Sequence, residues 1–169
     1  MILILIIIIV IVVMSVAIIG GNESLIVRKA TARDIRAINI LLESGGSNVY
    51  EKNITAKKLK YLNRDESHGV YLGFMGGKLV ATATIKSVSW GYKSPRLSTT
   101  ANIIDPEYRG KGLMVKFSLI LFDKLREAGE TSISSQVAID NTASRRVMEK
   151  LGFVEEFEFE NHIFYEKHL

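Results

Sequence analysis

The alternation of apolar and polar positions divides the chain into short elements, with glycine, proline and asparagine between them. Leu25 to Ala30 reads as a first strand. Thr31-Ala32-Arg33-Asp34 has the spacing of a capping box, with Asp in the place of Glu, and opens a helix carrying Ile35, Ile38 and Leu42 on one face. After a loop at Gly45-Gly46-Ser47-Asn48, Thr55 caps a second short helix that ends near Asn63. Val70 to Met75 and Lys78 to Val88 alternate as strands and are joined by Gly76-Gly77, a hairpin signal. A loop from Trp90 to Arg96 leads to a strand at Ser98 to Ile104, and a Gly-rich turn opens a long helix, Leu113 to Ala128. A strand (Ser132 to Ile139), a helix (Asn141 to Leu151) and an antiparallel pair (Val154 to Glu160, His162 to Glu166) complete the chain. The order β-α-α-β-β-β-α-β-α-β-β is that of a mixed α+β layer fold.

Met1 to Ile19 breaks this pattern, with no charge and a single hydroxyl, Ser15. At about 1.5 Å per residue a helix of that length just spans a bilayer core. Arg28, Lys29 and Arg33 follow it, a bias that would hold the folded part on the cytoplasmic side. A membrane anchor is one reading. A start wrongly assigned upstream of Met14, a signal peptide lacking a basic n-region, and an apolar strand or arm buried in an oligomer, since Ile and Val favour strands, are the others. The division expected is a hydrophobic segment, 1–21, and one catalytic domain, 22–169.

Composition narrows the chemistry. A chain of 169 residues supports one domain with a substantial core. Net charge is +4 with no basic run, which suits an acidic small ligand and argues against nucleic acid as a partner. The chain has no cysteine, so disulfides, thiolate metal sites and a cysteine nucleophile are excluded. His68, His162 and His168 show no ligand spacing, and no metal is expected. A G-x-S-x-G elbow is missing as well, so acyl transfer would run directly from donor to acceptor.

The candidate chemistry lies in Asp105-Pro106-Glu107-Tyr108-Arg109-Gly110-Lys111-Gly112-Leu113. A strand feeding a glycine-rich, cationic turn that opens a helix makes an anion site, because the first helical amides lack partners and sit at the positive end of the helix dipole. The turn is no nucleotide-triphosphate loop, and Val115 stands where a dinucleotide fingerprint needs its third glycine. Its P-E-Y-R-G-K-G-L sequence, the segment N-x-x-S-x-x-V-x-E-K-L-G-F from Asn141 to Phe153, and the spacing between them resemble the GNAT superfamily of N-acetyltransferases over Leu25 to Leu169.

The resemblance implies a mixed, mostly antiparallel sheet of about seven strands flanked by four helices. The fourth and fifth of those strands (98–104 and 132–139) splay to admit the pantetheine arm of acetyl-CoA, the co-substrate. It also implies backbone contacts from Asn102, Ile103 and Ile104, with Ile104 polarising the thioester. Arg109, Gly110, Lys111, Gly112, Leu113, Met114 and Val115 would cradle the pyrophosphate, and Asn141 would bond the pantetheine arm, unless it serves only as a helix N-cap. A strand-paired homodimer is common in the family. Met114 departs from the usual small residue and would present its amide with the side chain turned into the core. Gln136 and Met148 stand at positions where the family commonly has a glutamate base and a tyrosine acid. Ser144, matching a serine in the subgroup that acetylates protein N-termini, is the candidate acid; its other reading is a helix-surface serine.

Without a carboxylate base, the acceptor's own basicity matters. Deprotonating a lysine ε-amine at pH 7 costs about 4.6 kcal/mol, whereas an α-amine near 7.8 costs about 1 kcal/mol. The sequence therefore points to an N-acetyltransferase acting on an α-amine or another weakly basic primary amine through water. A non-catalytic acyl-CoA-binding or sensor module is the alternative. Glu107 is expected to point to solvent. Glu156, Glu158 and Glu160 are expected on one strand face, opposite Phe157 and Phe159, as a solvated face or an acidic wall. Tyr165 and Tyr50 are further candidate proton donors. The expected location is the cytoplasm, with membrane contact through Met1 to Ile19 under the anchor reading.

Overall fold

A computed structural model describes residues 16–19, 23–45 and 53–169. Its elements run β1 (Val16–Ile19), β2 (Glu23–Lys29), a 3-10 turn (Ala32–Asp34), α1 (Ile35–Ser44), α2 (Ala56–Leu62), β3 (Gly69–Met75), β4 (Lys78–Val88), β5 (Arg96–Ile104), a second 3-10 turn (Pro106–Tyr108), α3 (Leu113–Glu127), β6 (Ser132–Ala138), α4 (Thr142–Leu151), β7 (Val154–Phe159) and β8 (His162–His168). The strands form one sheet in the order β1-β2-β3-β4-β5-β6-β8-β7. Every neighbour is antiparallel except β5 with β6.

Local signals in the sequence explain most of these boundaries. The Thr31 amide and hydroxyl both reach Asp34 Oδ2 (2.7 and 2.8 Å), and the Arg28 guanidinium clamps the same carboxylate with two bonds of 2.8 Å. That pairing holds the Asp34 carboxyl well below the usual carboxylate range. Thr55 Oγ1 accepts from the Lys58 amide and starts α2. Gly76 and Gly77 both take positive φ (53° and 80°), which a two-residue hairpin turn demands.

The sheet has eight strands where about seven were expected. The extra one is β1, four residues read in the sequence as part of the hydrophobic tail, which pair with β2 from Val16↔Ile26 to Ile19↔Glu23. Residues 1–15 and 20–22 of that tail, and Tyr50, lie outside the described residues. Among the described residues no helix is long and apolar enough to cross a membrane.

One core lies between the sheet and α3 and α4, built on Phe117, Leu121, Phe122, Leu125, Ile133, Met148 and Phe153. A second, around Ile38, Leu42, Leu59, Leu72 and Ile103, lies under α1 and α2 on the opposite face. Burying Phe117 and Phe122 contributes on the order of 1.5–3 kcal/mol each.

The sheet opens where its one parallel pairing fails. β5 and β6 pair only at Ser98↔Ser134 and Thr99↔Ser135, and beyond these residues the strands diverge. The cause lies in β5. Its register against β4 jumps from Thr84↔Thr100 to Thr82↔Ile103, an extra residue that makes a β-bulge. Ala101 sits inside the bulge at φ 50°. A left-handed conformation costs a residue with a Cβ roughly 1–2 kcal/mol, so the surrounding ladder must hold it in place. The bulge also switches faces: Ile103 joins the α1/α2 core and Ile104 the α3 core. This is the splay expected of strands 98–104 and 132–139.

Candidate active site

The gap between β5 and β6 is bordered by two helix N-termini that differ in how they end. At α3 the N-cap is Gly112, at φ 74°, and no side chain caps the helix. The first helical bond across the boundary runs from the Lys116 amide to the Gly112 carbonyl (3.2 Å). The amides of Leu113, Met114 and Val115 therefore have no intrahelical acceptor. Gly110 and Gly112 both have φ 74°, and a Cβ on either would meet no protein atom within 4 Å. Glycine is needed here for backbone shape, and the turn stays open in front. Leu113 is buried, and Met114 packs against the α3 core as expected, which leaves its amide at the helix end.

The cations of the turn fold back onto it. Arg109 Nε donates to the Ile104 carbonyl (3.0 Å) and its NH2 group to the Ser44 carbonyl (3.1 Å), tying the end of α1 to the turn. Lys111 Nζ donates to the Glu107 carbonyl (3.0 Å). The exposed Glu107 carboxylate pairs with Lys78 (2.6 Å), which also meets Asp105 (3.1 Å). The two carboxylates, Glu107 before Asp105, hold the Lys78 ammonium well above its ordinary value. The first turn of α3 contains no acidic residue, so its amides face no fixed negative charge of their own helix.

At the end of β5 the ladder phase decides which backbone groups are free. The Asp105 amide donates to the Val80 carbonyl (2.9 Å), so Thr82 and Ile103 form the next hydrogen-bonded pair. Ile103 thus spends its backbone groups on β4. The groups of Ile104 turn the other way, into the gap; Arg109 takes the carbonyl, and the N–H remains as the donor on that wall. Asn102 uses its Oδ1 to accept from Thr99 Oγ1 (2.7 Å).

On the other wall, Asn141 is an N-cap: its Oδ1 accepts from the Ser144 amide (3.0 Å), which leaves the Nδ2 end for a ligand. Ser144 is half-buried in the first turn of α4. Met148 is buried in the core. Tyr165, buried on the α4 face, donates to Glu155 Oε1 (2.9 Å); burial, and then Glu155, push its pKa up.

The expected wall of three glutamates does not form. β7 carries a bulge between Glu155 and Phe157, so alternation breaks at Glu156. Glu158 lies opposite Ile163, on the α3/α4 side, while Glu156 pairs with Arg96 (2.7 Å), whose guanidinium covers the Tyr92 ring. Glu160 sits in the β7–β8 turn at φ 44°.

That bulge puts Phe157 and Phe159 on the sheet face shared with α1 and α2, in an aromatic cluster absent from the sequence reading. Phe157 stacks on Phe164 (4.6 Å between centroids), Tyr92 meets both rings edge-on, and Trp90 packs on Phe159, His162 and Phe164. The 89–95 loop carries Trp90 and Tyr92 onto the sheet, and Gly91 lies so close to Phe164 that a Cβ would approach its ring to 2.3 Å. Alternating aromatics at 90/92 and 157/159 were the available signal. The Tyr92 hydroxyl sits beside Ser134 and Gln136 without well-aligned bonding to either; burial raises its pKa, and these two neighbours offset part of that rise.

An uncapped helix end with two left-handed glycines, a lone strand N–H and an asparagine amide around one gap fit a phosphate-bearing donor with an amide-containing arm. Comparison with known proteins decides the family: the pattern of the Acetyltransferase (GNAT) family matches residues 35–153. The chain belongs to the GNAT acetyltransferase family. No curated protein sequence matches it. The GNAT domain of PAT from S. lividans superposes with a TM-score of 0.72 at 16% identity, covering 92% of this chain and 97% of that one. A ribosomal-protein-alanine N-acetyltransferase from Brucella melitensis gives 0.68 at 19% identity, covering 85% and 99%. The putative acetyltransferase yncA from Salmonella typhimurium, solved with its cofactor acetyl-CoA, gives 0.67 at 17%, covering 85% and 93%. At these identities the likeness is one of fold. GNAT enzymes use acetyl-CoA.

Proposed function

We propose that this chain is an N-acetyltransferase that moves the acetyl group of acetyl-CoA to a primary amine, with an α-amine or another weakly basic amine as acceptor. The observation that carries this reading is the juxtaposition of the uncapped α3 amides with the Ile104 N–H on one side of an open sheet. The amides of Leu113, Met114 and Val115 would bind the pyrophosphate, and Asn141 Nδ2 an amide of the pantetheine arm. The donor supplies a thioester carbonyl as electrophile and a thiolate as leaving group. The Ile104 N–H is a preorganised donor for the carbonyl oxygen, where negative charge develops.

The acceptor's nitrogen must arrive with a free lone pair. The β6 wall offers Ser134, Ser135 and Gln136, and an amide takes no proton. Bulk water therefore receives the ammonium proton, which is affordable for an amine near pKa 8 at a cost of about 1 kcal/mol at pH 7. The lone pair then forms the C–N bond as the C–S bond breaks, and the nitrogen, now bearing a positive charge, gives its second proton to solvent. A proton from Ser144, replenished by solvent, neutralises the thiolate.

A thiol-release assay tests this, using acetyl-CoA with peptides, amino acids, polyamines and amino sugars. Release above hydrolysis with α-amines, and much less with free lysine ε-amines, is the expected result. Ser144→Ala should lower kcat about tenfold with little change in either KM, the scale of a modest acid contribution. Tight binding of acetyl-CoA with no release for any amine would instead assign a non-catalytic acyl-CoA-binding module.

A further inference from the structure

The aromatic cluster lies beside the β6 wall of the gap. Phe164 stands opposite Gln136 and His162 opposite Ala138, both beyond Ser135, the last β6 residue paired with β5. The cluster therefore flanks the β6 wall of the gap from the β8 side, one strand away from it, on the sheet face opposite α3 and α4. Three of its members keep open edges: Trp90, Phe157 and Phe159 are 38%, 36% and 43% exposed. Beneath them Tyr92 Oη and Gln136 Nε2 are buried side by side, and neither makes a hydrogen bond of good geometry. Leaving a buried polar group unpaired costs roughly 1–3 kcal/mol. Two such groups side by side, on the β6 wall and under the aromatic 89–95 loop, point to a ligand that uses them. Both can act as donors, so the ligand offers an acceptor oxygen.

We propose that the basin formed by Trp90, Phe157, Phe159 and Phe164 is the acceptor's specificity pocket, and that it selects α-amines bearing a large apolar or aromatic side chain, with the adjoining carbonyl oxygen taking the Tyr92 hydroxyl and the Gln136 amide. This rests on the acetyltransferase reading above and names its substrate class. Phenylalanine amide, leucine amide and peptides beginning with those residues have the right parts: a weakly basic amine, a carbonyl oxygen next to it, and an apolar group. Because both donors are covered, the 89–95 loop shifts when the acceptor binds.

Trp90 is the sole tryptophan of the chain, so its fluorescence reports on this basin without any turnover. The full chain, with coenzyme A bound, is titrated with phenylalanine amide, leucine amide and serine amide, and the same amides are compared in the thiol-release assay. The expected result is a saturable change in Trp90 emission for the first two at concentrations at least tenfold below any change with serine amide, and KM values in the same order. Tyr92→Phe should raise the KM of phenylalanine amide about tenfold without lowering Tm, because it deletes an unpartnered hydroxyl, and Phe159→Ser should erase the preference while acetyl-CoA affinity stays at the wild-type value. Equal response to all three amides, or a Tyr92→Phe variant that loses Tm and keeps the wild-type preference, overturns the pocket. Thiol release with some amine but no apolar preference sinks the pocket alone. Absence of release with every amine sinks the acetyltransferase reading, and the Trp90 titration then still decides whether apolar amines bind here.

Discussion

The two helices that reach the gap begin in opposite ways. α4 starts with Asn141, whose side chain closes on the Ser144 amide. α3 starts with Gly112, which has nothing to close with. Both helices present the positive end of a dipole, yet only α3 leaves its first amides uncapped. A helix N-terminus is thus left open by what is missing: the capping oxygen, the acidic first-turn residue and the Cβ atoms at Gly110 and Gly112, and on the proposed function this opening takes the pyrophosphate. The Asn141 cap closes the start of α4 with its Oδ1 and leaves only its Nδ2 without a bond to the helix.

Making α3 resemble a capped helix should have the largest effect. Gly112→Asp adds a carboxylate at the amides meant for pyrophosphate and should weaken acetyl-CoA about 100-fold, near 3 kcal/mol, as read by calorimetric titration. Arg109→Ala removes the bonds to the Ile104 and Ser44 carbonyls. It should raise the KM for acetyl-CoA about tenfold and lower Tm by several degrees, since charged hydrogen bonds of this kind contribute about 1–3 kcal/mol. Asn141→Ala tests the capped side. Losing a cap costs about 1 kcal/mol, which is roughly 2–4 °C in Tm for a chain of this size, with only a few-fold change in acetyl-CoA affinity. Asn141→Asp should restore the Tm and not the affinity.

The smallest effect lies away from the gap. Arg28 depresses the Asp34 pKa, so the pair stabilises the fold above the unfolded aspartate value of about 3.9 and loses that contribution as pH falls towards the lower folded value. The Tm difference between wild type and Asp34→Asn should hold constant from pH 7 to about 5 and shrink steadily below about 4. A difference that grows on acidification would contradict the assignment.

Features written in local chemistry could be read from the sequence. The Thr31/Asp34 box, the Thr55 cap, the Gly76-Gly77 turn and the glycine pair before α3 each depend on a few adjacent residues, and the structure has them where the spacing placed them. Features that depend on partners far along the chain could not. Val16–Ile19 lies in an unbroken apolar run, and such a run has no period to tell strand from helix. The β7 bulge is silent in Glu155-Glu156-Phe157-Glu158-Phe159, because alternation looks the same until one residue is left without an opposite number. The role of Tyr92 was hidden for the same reason: nothing in the loop sequence says which strands it will cover. The β5 bulge at Ala101 is a further case, since alanine gives no hint of positive φ.

The most direct test of the account is to follow backbone amide resonances of the full chain during titration with acetyl-CoA. The account predicts saturable shifts at Leu113, Met114, Val115 and Ile104 sharing one dissociation constant, with the amides of α2 unmoved. Saturable binding that leaves those four resonances in place would contradict it, because the donor would then sit elsewhere on the sheet.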